Sequence, residues 1–66
     1  MAKREELVQT ANSIRERIWW LLTRQQQLMG RDDRWACEMF ARNEDELARA
    51  RHALAKVERK LATMRW

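Results

Sequence analysis

On either side of the chain's only glycine, apolar residues recur at spacings that alternate between four and three. Before Gly30 the series is Leu7, Ala11, Ile14, Ile18, Leu21, Gln25 and Leu28. After it come Ala36, Phe40, Asn43, Leu47, Ala50, Leu54, Val57, Leu61 and Met64. A seven-residue repeat with two apolar positions is the pattern of α-helices packed along a shared seam. Proline is absent, so nothing in either stretch removes a backbone donor. The predicted fold is all-α, with one helical-hairpin domain over residues 1–66: helix 1 over about 3–29, a turn at 30–32 and helix 2 over about 33–64.

The ends of these helices carry matching signals. Glu5 and Glu6 fall in the first turn of helix 1, where the helix macrodipole favours acids. Gly30 takes the positive φ that a helix C-terminus calls for, and Asp32 or Asp33 supplies an N-cap for helix 2. A link this short obliges the helices to run antiparallel.

Each helix has a further small or apolar row beside its seam. In helix 1 it is Val8, Arg15, Leu22 and Met29; in helix 2 it is Ala41, Ala48, Ala55 and Ala62. A hairpin alone buries the two seams and leaves these rows open, and a 66-residue chain is small for a self-sufficient core. The expected solution is a homodimer packed as a four-helix bundle. Its expected core and dimer contacts are Leu7, Ile14, Ile18, Leu21, Leu22, Phe40, Leu47, Leu54, Val57 and Leu61. Gln25 and Asn43, the polar seam members, are expected to hydrogen-bond across the bundle and fix its register.

Trp19 and Trp20 do not fit the seam. On a helix they diverge from its centre by about 130°, one to each side. Adjacent residues cannot both face one seam, so at least one indole stands outside the core. With Arg15, Arg17 and Arg24 nearby, they make the expected partner-binding surface, since Trp and Arg dominate binding energy at protein interfaces. Trp35, in the first turn of helix 2, is expected to close the hairpin end against Leu28 or Met29. Trp66 is terminal.

Groups for catalysis are not apparent. His52 is the only histidine and Cys37 the only cysteine, fifteen residues apart on one predicted helix. No nucleophile triad, glycine-rich phosphate loop or metal-ligand spacing occurs, so no enzyme activity, metal, cofactor or small-molecule substrate is expected. The carboxylates of Glu44, Asp45 and Glu46 fan out around a helix. Cys37 reads as an inert surface thiol. No apolar run is long enough to span a membrane, and the first residues lead into no signal-peptide core. With a lone cysteine besides, the expected location is the cytoplasm.

The net charge of +4 is unevenly placed. Residues 1–31 hold six basic and three acidic groups, 32–46 two and six, and 47–66 six and one. The basic group at Arg49, Arg51, Lys56, Arg59 and Lys60 is a candidate patch for phosphates or an acidic protein. Glu38 with Arg42, and Asp45 with Arg49, are expected to pair one helical turn apart.

In its size, its Arg/Trp-rich hairpin and its lack of catalytic groups, the chain resembles the short helical proteins that bacteriophages make to inhibit host regulators. Quorum-sensing anti-activators, pilus inhibitors and some anti-CRISPR proteins are of this kind. The resemblance implies an inhibitor or anti-activator that masks a host protein by steric cover. The layout is also similar to the plasmid copy-number regulator ROP, a hairpin that dimerises into a four-helix bundle and binds paired RNA loops. That likeness implies RNA or DNA binding by the basic face of helix 2 as the alternative. The acidic block at 32–46 argues against a continuous nucleic-acid stripe.

Overall fold

The computed structural model describes residues 2–64, which form two helices: α1, Ala2–Leu28, and α2, Arg34–Thr63. They pack against each other as a hairpin, a rod measuring 51 × 14 × 13 Å. Trp66 lies outside the described residues.

The reversal is built as its residues dictate. Gly30 adopts φ 84°, and among the described residues no other takes positive φ. The Arg31 N–H donates to the Leu28 carbonyl at 3.3 Å, satisfying one of the last carbonyls of α1. Asp33, in extended conformation, is the N-cap of α2: its carboxylate accepts from the Ala36 N–H at 3.1 Å. Arg31 Nε donates to the same carboxylate at 3.1 Å.

Every position of both predicted seams faces inward, either buried or half-buried. The buried apolar residues are Ala11, Leu21, Leu28, Ala36, Leu47 and Ala50. Half of them are alanines, so the core is thin. Leu21, Leu47 and Ala50 form its centre, with Ile14 and Ile18 packed against them. Asn43 is buried in the same layer at 3% exposure, and its Nδ2 donates to the Leu21 carbonyl at 2.7 Å. A carbonyl has two lone pairs, so Leu21 can accept this bond without giving up its helical one. The bond ties one level of α2 to one level of α1 and sets the register between them.

The two flanking rows take different places. Val8, Leu22 and Met29 border the seam and remain 40%, 42% and 64% exposed. The alanines of α2 do not border it. Glu44, Arg51 and Glu58 lie between the seam and that row, and Ala41, Ala48, Ala55 and Ala62 stand further out, all exposed. The apolar face of α2 is therefore narrower than its composition suggests.

Two outcomes follow. Leu47→Ala should cost about 2–4 kcal/mol in urea unfolding followed by circular dichroism, as a buried leucine at a centre with few neighbours to collapse onto it. Asp33 supplies a pH dependence. The Ala36 N–H, and then the Arg31 guanidinium, hold its carboxyl below the ordinary 3.8. A depressed folded-state value means that the cap's stabilisation is complete above 3.8 and is lost as the pH falls through the folded value. Thermal melts should show wild type losing stability below that point more steeply than Asp33→Asn, which caps without titrating.

Candidate functional site

The hairpin has two long sides, and α1 distributes its unusual residues between them. On one side Leu22, Gln25, Met29, Leu47, Ala48 and Arg51 line a shallow groove. On the other, Arg17, Trp20, Leu21, Arg24 and Glu46 line a second groove. That groove runs on, through Arg24, to Arg31, Trp35 and Met39 at the turn. The first side is the more apolar, although Glu44 and Arg51 border it, and the second is the more basic.

The tryptophans sit on the outer surface where those sides meet. Trp19 is 58% exposed and Trp20 60%. Their rings pack edge to face, with centroids 4.8 Å apart and planes at 83°. Trp20 joins the basic groove; helical rotation turns Trp19, one residue earlier, toward the other flank. Thr23 follows both by about one turn, and its hydroxyl donates to the Trp19 carbonyl at 2.9 Å. This half-buried threonine carries no sequence signal of its own.

Trp35 does not close the hairpin end. It stays 56% exposed, with the Arg31 guanidinium 5.4 Å above its ring centroid. Leu28 meets the same groove but does not bury the indole. The extended turn brings Arg31 over Trp35, which helical spacing alone could not foretell.

The arginines expected to act together divide. Arg15 belongs to the apolar side, where its guanidinium crosses to Glu58 at 2.9 Å. Arg17 crosses the other side to Glu46 at 3.4 Å. Arg24 forms no ion pair among the described residues. Each cross-helix pair is about half exposed, so it positions side chains more than it stabilises the fold.

The basic candidates of α2 divide as well. Lys56, Arg59 and Lys60 line one groove near the end of the helix. Arg51 lies on the apolar side, and Arg49 pairs with Asp45 at 3.6 Å. Glu38 pairs with Arg34 at 3.2 Å, not with Arg42.

Two buried oxygens have no hydrogen-bond donor among the described residues: Asn43 Oδ1 and Gln25 Oε1. Gln25 also borders the apolar groove. Cys37 and His52 are exposed and separate. Among the described residues no three His, Cys, Asp or Glu side chains gather as metal ligands, and no helix is long and apolar enough to cross a membrane.

No protein family, curated protein or solved structure matches the chain.

A double-mutant cycle on Arg15→Ala and Glu58→Ala should return a coupling below about 1 kcal/mol in urea unfolding. A larger value would make this pair a principal tie between the helices.

Proposed function

We propose that this protein is a non-catalytic protein-binding module: a homodimer, packed as a four-helix bundle, that presents indole and guanidinium groups to a second protein. The observation that carries the reading is the exposure of Trp19 and Trp20 on a hairpin whose seam closes without them. Large exposed aromatic groups beside unpaired arginine are the material of interface hot spots. A module with this surface acts by covering what it binds, as an inhibitor or anti-activator of a regulator in the cytoplasm.

The dimer is supported by the apolar side. Val8, Leu22 and Met29 stand in a row along one side of a rod whose own core is half alanine. A second copy laid there would cover them and deepen the core. Gln25 Oε1, buried beside this groove without a donor, adds to the argument: leaving such a group unsatisfied costs about 1–3 kcal/mol, and a neighbouring chain can bring the missing donor.

Sedimentation equilibrium should give twice the 8.1 kDa of one chain. Leu22→Arg with Met29→Arg should reduce that to a single chain's mass. For the binding surface, wild type and the Trp19→Ala/Trp20→Ala variant are compared as bait in extract from the source cell. A specific protein should be captured by wild type alone, with helicity and mass alike in both. If the double variant unfolds or becomes monomeric, the indoles are structural and the reading fails. Capture of RNA or DNA, falling steeply with salt and unaffected by the tryptophans, would favour the ROP-like alternative.

A further inference from the structure

The apolar side of the hairpin carries one row of every seventh residue from each helix. On α1 the row is Val8, Arg15, Leu22 and Met29, its three apolar members all exposed. On α2 it includes Glu44, Arg51 and Glu58, and the first two border the same groove as Leu22 and Met29. Arg15 and Glu58 pair with each other across the hairpin. Glu44 and Arg51 form no ion pair among the described residues. One row is thus mostly apolar, and the other leaves one anion and one cation uncompensated.

A two-fold axis can lay two copies of this side face to face along the rod in two ways. With the axis along the rod the hairpins are parallel, and α1 lies over α2 of the other copy. With the axis across the rod they are antiparallel, and each helix lies over its own counterpart. Counting from the Asn43–Leu21 bond, Leu22 is level with Glu44, and Arg15 with Arg51, to within about two residues, roughly 3 Å. The parallel pairing therefore sets Leu22 on a carboxylate and Arg15 on a second cation. The antiparallel pairing sets Val8 on Met29, Leu22 on the aliphatic stem of Arg15, and Glu44 on Arg51, each pair formed twice. On α1 these pairs centre between Ile18 and Trp19; on α2 they centre between Leu47 and Ala48. Those two midpoints are level to the same tolerance of about 3 Å, so one axis serves both rows.

We infer that two copies pack antiparallel through this side, tied by two reciprocal Glu44–Arg51 ion pairs, and that the axis gathers their indoles into one composite binding surface. The inference rests on the homodimer reading above. Trp19 follows Arg15 by four residues and precedes Leu22 by three, so it stands beside that row. It lies less than about 1 Å along the rod from the axis. The rows make the contact, and the two Trp19–Trp20 pairs flank its rim at the same level. A partner protein then meets both pairs on one edge of the dimer, where a hairpin alone offers a single pair.

The native cysteine reports the orientation without any substitution. Cys37 is exposed, and a nitroxide attached to it marks the turn end of each copy. Pulsed electron spin resonance should give a separation of about 30 Å or more, since the antiparallel axis places the two sites some twenty residues apart along the rod. The parallel arrangement puts both at one end of the bundle, within about 20 Å. Unlabelled protein supplies the second measurement. Glu44→Arg and Arg51→Glu should each weaken the dimer at least about tenfold in sedimentation equilibrium, and the two together should restore it to within about threefold of wild type. Parallel packing calls for the reverse with Arg51→Glu, which would then meet Arg15 and tighten the dimer. Circular dichroism verifies that all variants remain helical.

A nitroxide separation below about 20 Å overturns the inference. So does an Arg51→Glu variant that dimerises as well as wild type, or a double exchange that restores nothing. In each of these cases a wild type of twice the single-chain mass leaves the homodimer reading standing. If wild type sediments as a single chain at every concentration, the reading and the inference fall together.

Discussion

The contact between two helices is a line, and a line has room for two rows of side chains from each. Everything about this molecule follows from how those rows are filled. The seam accepts small residues at Ala11, Ala36 and Ala50, which let the rods approach, and leucines at its middle and near the turn. With the line full, every other bulky residue must remain on a side of the rod. That is why a chain rich in tryptophan and methionine keeps so much apolar surface open. Asn43 adds specificity to a thin interior: its bond to the Leu21 carbonyl exists at one register only.

Much of this was legible before any coordinates. Spacings of four and three identify the seam positions, all of which face inward, and Gly30 with Asp32 or Asp33 marks the reversal and the cap, which the structure assigns to Asp33. Both are local signals, fixed by backbone geometry and by helical period. The opposite positions of Trp19 and Trp20 were legible for the same reason.

What was not legible depends on how the two rods face each other. The alanine row reads as an extension of the apolar face until Glu44, Arg51 and Glu58 prove to lie between it and the seam. Arg15 looks like a neighbour of Arg17 and Arg24, yet those two share one side and it crosses the other to Glu58. Arg49 and Arg51 look like one patch, yet two residues turn a helix far enough to part them. The Glu44-Asp45-Glu46 run shows this most compactly. One carboxylate borders the apolar groove, the next pairs along its own helix, and the third reaches across to Arg17.

The edge-to-face contact between the two neighbouring indoles has a consequence for their solvation. Each ring screens part of its neighbour from water, although both remain more than half exposed. Taking either ring away returns the other's shielded edge to solvent, so water meets the pair as one apolar patch.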